Sequence, residues 1–141
     1  MTSTTATQRR LTVALVAYGA FLALVLLAPT SGPQSTGAGW VVDLATGVGI
    51  PAHIATGSRV EFVLNALILM PVSALGSLRW PRTNWRDWTA YAFVIAGAVE
   101  LFQGLFLPNR SATFVDVVAN TLGGLGGAAA VAIVHRWRSR A

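Results

Sequence analysis

The sequence contains no cysteine and no lysine, and it has only five acidic residues and two histidines. Without cysteine, disulfides, thiol catalysis and thiolate metal sites are excluded. His53 and His135 stand alone in their segments, so no histidine-based metal spacing exists and no cofactor is implied. Charge is scarce: 11% of the residues are charged, where an ordinary soluble domain carries roughly 25%. That scarcity excludes a soluble domain of usual make-up. A chain this poor in Glu and Lys also lacks the composition that keeps a segment disordered.

What is present is apolar. The 141 residues are 54% hydrophobic with a mean hydropathy of +0.60. At about 20 apolar residues per span, such a chain has room for one membrane domain of four or five helices. The net charge of +5 comes from ten Arg set between apolar runs, not along one polar face. Membrane topology accounts for that placement and nucleic acid does not.

Four runs qualify as spans: 11–28, 60–78, 88–107 and 114–134, together more than half of the chain. The first resembles the start of a secretory signal, but it exceeds the usual apolar length and no small-x-small site follows Ala28, so a retained helix is expected. Eight of the ten Arg fall in the N-terminal segment 1–10, the loop after the second span and the C-terminal segment 135–141. Short positive segments stay in the cytoplasm during insertion, so both termini are expected there. Trp80, Trp85, Trp88 and Trp137 flank the same boundary, as amphipathic rings at a headgroup layer do. On the other side, Pro29 to Gly39 reads as a turn-rich loop. Trp40 to Ile54 is apolar yet too short to span, which fits an interfacial or re-entrant segment. The expected fold is therefore all-α: an integral membrane four-helix bundle with that segment between spans one and two.

The informative residues are polar ones inside the spans. An ionised side chain deep in a bilayer costs ~2.5 to 3.5 kcal/mol on insertion scales, so a short chain that keeps several compensates them or uses them. Glu61 and Asn65 lie in span two, Glu100 and Gln103 in span three, and Asp116 and Asn120 in span four, each pair spaced to share one helical face. With a rise of ~1.5 Å per residue, Glu100 and Asn120 sit ~10 Å and ~9 Å from the outer ends of their spans, in one slab of the bilayer. Along span four, Asp116, Asn120, Gly123 and Gly127 form a single stripe. Its outer half is expected to line a cavity and its small-xxx-small inner half to form a packing seam.

Each residue also has a structural alternative. Thr113 to Asp116 has the spacing of a capping box. Arg110 is placed to neutralise Asp116 or Glu100, Glu61 beside Arg59 reads as a solvated end, and Asn65 and Asn120 read as helix bridges. Glu100 alone has no helix-end role in the sequence. Pro71 is expected to kink span two.

Glu100-Leu-Phe-Gln103, Leu107-Pro108-Asn109-Arg110 and Asp116-Val-Val-Ala-Asn120-Thr-Leu-Gly123 together resemble the VanZ-like family of small bacterial membrane proteins. The likeness extends upstream through Gly49-Ile50-Pro51 and Val60-Glu61-Phe62 to Asn65 and Pro71, and covers about Trp40 to Val134. One departure is Ser73, where the family commonly has Gly. The family is named for a protein that raises resistance to the glycopeptide teicoplanin without altering the peptide target. The resemblance implies work at the cell envelope, in a bacterial plasma membrane.

Three functions follow. The first is a lipid or glycolipid headgroup module, with Arg110 as the anion fork and Glu61, Asn65, Glu100, Gln103, Asp116 and Asn120 as the other ligand-binding groups. The second is an intramembrane enzyme using Glu100 and Asp116 as acid and base on a lipid-linked envelope precursor. It ranks lower, because no nucleophile motif, metal set or phosphate loop accompanies the two acids. The third is a structural module whose work lies with a partner, and a homo-oligomer is left open.

Overall fold

The computed structural model describes residues 5–28, 32–110 and 113–140, with the backbone alone at positions 33 and 34. Among these, the chain forms five helices and no strand: α1 (Thr5–Leu26), α2 (Gly32–Gly47), α3 (Gly57–Arg79), α4 (Trp85–Phe106) and α5 (Phe114–Arg138). All but α2 are long and apolar enough to cross a membrane.

Local chemistry sets the ends. Asn84 caps α4 by accepting from Arg86 N (2.8 Å) and Asp87 N (3.3 Å), while Asp87 Oδ2 accepts from Asn84 N at 2.8 Å, completing a capping box. The helix therefore starts at Trp85, earlier than the hydropathy run suggests. His135, Arg136 and Arg138 lie in the last turn of α5, where cations face the negative end of the helix dipole, and α5 runs past the apolar stretch to Arg138. Similarly, α1 already begins at Thr5. α3 passes through Pro71 without interruption.

The loop expected over Pro29 to Gly39 is in fact helical from Gly32; Pro29 and Ser31 lie outside the described residues. Ser35 and Thr36 donate their hydroxyls to Gly32 O at 3.0 and 2.8 Å, so these groups are satisfied inside the helix instead of competing with it. Pro33 falls in the first turn, where its missing N–H costs no bond. The helix ends in a Schellman arrangement: Ile50 N donates to Ala45 O and Gly49 N to Thr46 O, with Gly49 at φ 93°. Only glycine takes that backbone conformation without strain, and Pro51 follows at once.

α3 is the hub and touches each of the other four helices. The chain reverses between α3 and α4 and again between α4 and α5, so α3 and α5 run parallel. Their contact is the most extensive among the described helices. A Cβ at Gly123 would strike the Ala66 backbone, and one at Gly127 would strike Met70 O and Ser73 Oγ. Nothing larger than glycine fits there, which is the small-residue seam expected for these positions. Ser73 belongs to the seam: it is 2% exposed and donates to Met70 O at 3.1 Å.

α1 packs more lightly, through Leu22, a bond from Tyr18 Oη to Ile68 O (2.8 Å) and one from Arg79 Nε to Thr12 Oγ1 (2.9 Å). An apolar groove of about 290 Å³ lies between α1, α3 and α4, and Leu26, Leu69 and Trp88 are among its walls. Trp88, expected as an interfacial ring, instead packs its indole on Gly76 and donates to Thr83 Oγ1 at 2.8 Å. Trp80 and Trp85 stay exposed beneath Arg79 and Arg86. Much of the bundle's outer surface is large and apolar, including Val94, Leu101, Leu105 and Phe106. Such a surface is a liability in water and a requirement in lipid, and the chain is a multi-pass membrane protein.

Candidate functional site

At the bundle end away from the chain termini, Thr113 opens α5. Its hydroxyl accepts from Asp116 N at 3.2 Å, one half of the expected capping box. The other half is supplied from a different helix. Thr113 N donates to Glu100 Oε2 of α4 at 2.8 Å, so Glu100 has the helix-end role that its own helix does not suggest. Asp116 is thereby released from the reciprocal bond. Its Oδ2 accepts from Thr113 Oγ1 at 2.6 Å and its Oδ1 from Asn65 Nδ2 of α3. Three helices are tied together by these four residues.

Above this knot is a cavity of about 530 Å³. All seven residues singled out in the sequence line it: Glu61 and Asn65 from α3, Glu100 and Gln103 from α4, Arg110 from the following loop, and Asp116 and Asn120 from α5. The sequence did not point to the remaining wall. Val25 and Leu26 of α1, Ser35 and Gly37 of α2, and Leu64, Leu67 and Ile68 of α3 form it. Composition hid the α2 contribution, since a segment rich in Gly, Ser and Thr does not announce a helix.

The seven residues are differently committed. Gln103, 2% exposed, donates from Nε2 to Leu26 O at 2.6 Å and fastens α4 to the end of α1. Asn65 bridges helices, as its structural alternative has it. Asn120 is 5% exposed, and its Oδ1 has no hydrogen-bond partner among the described residues. A buried amide oxygen without a donor is costly to leave so. Among the described residues Arg110 makes one long contact, from Nη1 to Ala28 O at 3.5 Å, which leaves most of its donor fork unused by them. Glu61 is exposed at the rim. Arg59 turns away from it, donating to His53 O (2.9 Å) and Ile54 O (3.4 Å).

Chemically, this is a recess with an uncommitted guanidinium, carboxylate and amide acceptors, and an apolar lower wall. Leu26 faces both the recess and the groove between α1, α3 and α4, so a polar chamber and an apolar track share a residue. Asp116 has both oxygens engaged, which suits an orienting group better than a proton carrier. Among the described residues, no group of His, Asp and Glu is placed to hold a metal ion.

No curated protein and no solved structure matches the chain. The VanZ/LLP1 family model does, over residues 11–135, a stretch that takes in most of α1, all of α2 and the whole knot of Asn65, Glu100, Thr113 and Asp116; the chain belongs to that family.

Proposed function

We propose that this protein binds the headgroup of a lipid or glycolipid of the bacterial cell envelope in the cavity above Thr113, and that it does so on the extracytoplasmic side of the plasma membrane. The observation that carries the reading is the meeting of seven polar residues from three helices and a loop in one recess that shares Leu26 with an apolar groove. An amphiphile matches both parts: the guanidinium forks a phosphate or carboxylate, the amides meet hydroxyls, and an acyl chain follows the groove past Leu26. The Arg distribution supports the sidedness, because the cavity end carries Arg59 and Arg110 and the opposite end carries the other eight. Through such binding the protein alters glycopeptide susceptibility without touching the peptide target.

The test is lipid co-purification. Protein extracted in mild detergent carries envelope lipid, and Arg110→Ala loses it while remaining folded. An unchanged lipid content in that variant removes the proposal.

A further inference from the structure

The cavity's charge balance narrows the ligand. Glu61, Glu100 and Asp116 line it against one guanidinium, Arg110. In sequence, residues 29–31 and 111–112 contain no charged side chain, and Arg59 is held by loop carbonyls instead of lining the recess. Acid exceeds base there whether Glu100 is ionised or neutral. A ligand carrying only negative charge would gain at Arg110 and lose at the carboxylates, and in a recess partly screened from water both effects are amplified.

The acceptors are also of a particular kind. The Glu61 carboxylate, the Glu100 oxygen not bonded to Thr113 and the unpartnered Asn120 Oδ1 all lack donors among the described residues. Among the described residues no aromatic side chain lines the cavity, so a quaternary ammonium would find no ring face there. A primary ammonium, with three N–H donors, answers both the charge and the missing donors.

Resting on the headgroup reading above, we infer that the ligand is zwitterionic, with a primary ammonium held by Glu61, Glu100 and Asn120 and one anionic group held by Arg110. Headgroups of the phosphoethanolamine class have this chemistry. Anionic glycerol headgroups lack the amine, and choline headgroups lack its donors.

The experiment uses the full chain in detergent and isothermal titration with four probes: dihexanoyl phosphatidylethanolamine, the matching phosphatidylcholine and phosphatidylglycerol, and free phosphoethanolamine. The ethanolamine lipid is expected to bind roughly tenfold or more tightly than the other two lipids, the difference made by one charge-assisted contact. In Glu61→Gln, an exposed site where folding is not at stake, its advantage over phosphatidylglycerol shrinks by a similar factor. Equal or tighter binding of the choline or glycerol lipid overturns the amine inference and leaves the headgroup reading standing. An unchanged preference in Glu61→Gln overturns the amine inference too. Free phosphoethanolamine binding as tightly as its lipid keeps the amine and removes the lipid. Binding of none of the four overturns both.

Discussion

The two halves of the α3–α5 contact differ in kind. From Gly123 onward, backbone lies on backbone, and a single added Cβ would meet Ala66 or Met70 main-chain atoms. About two turns earlier along α5, the same pair is held by a side-chain bridge from Asn65 to Asp116, with open space beside it. Close approach at one end and separation at the other are linked, since the glycine end fixes the helices rigidly enough to hold a recess apart at the polar end. In a membrane no hydrophobic force drives helix on helix, so stability rests on the seam and the polar half is free to serve a ligand.

The strongest way to break that comparison is Gly123→Leu. The new side chain collides with backbone that has no rotamer to yield, and a loss of about 3 kcal/mol or more is expected. Size-exclusion chromatography and thermal unfolding in detergent should show aggregated or far less stable protein. A variant as stable as the natural chain would mean that the seam is not where α3 and α5 are held.

At the polar end the effects should be smaller. A double-mutant cycle of Asn65→Ala and Asp116→Ala is expected to give a coupling of about 1 kcal/mol, within the range of interhelical hydrogen bonds in membranes. Coupling near zero would show that the bridge contributes nothing and that the recess is held open by the glycine end alone. Glu100 sharpens the point further. Glu100→Gln keeps an oxygen for Thr113 N and should leave stability close to that of the natural protein, whereas Glu100→Ala orphans the helix start and should cost about 1 kcal/mol. Equal losses in the two variants would place the role of Glu100 in its charge rather than in its cap.

Much of this was legible beforehand, for identifiable reasons. Hydropathy marked the four long helices because each is apolar on nearly every side, and the spacing of Glu100 with Gln103 and of Asp116 with Asn120 put polar groups on faces that do converge. What stayed hidden depended on contacts between distant segments. The cap that Glu100 provides spans thirteen residues and two helices, so no local pattern displays it. α2 was masked by Gly, Ser and Thr, whose weak helix propensity is offset by hydroxyl bonds to Gly32 O and by a Schellman end. Trp88 was assigned by its place in the sequence, yet Gly76 opens a slot that draws the ring inward.

Ser73 offers the finest test of the comparison, because it stands inside the glycine seam and yet is polar. Its hydroxyl donates within its own helix, to Met70 O, and not across to α5. If the seam depends on backbone proximity and not on hydrogen bonding, Ser73→Ala should change stability by about 0.5 kcal/mol or less, since the methyl fills the same space beside Gly127. Chemical denaturation in a single detergent, run beside Gly123→Leu, has the resolution to separate the two. A loss in Ser73→Ala approaching that of Gly123→Leu would show that the hydroxyl helps hold the helices together, and the contrast between a bonded end and a packed end would have to be redrawn.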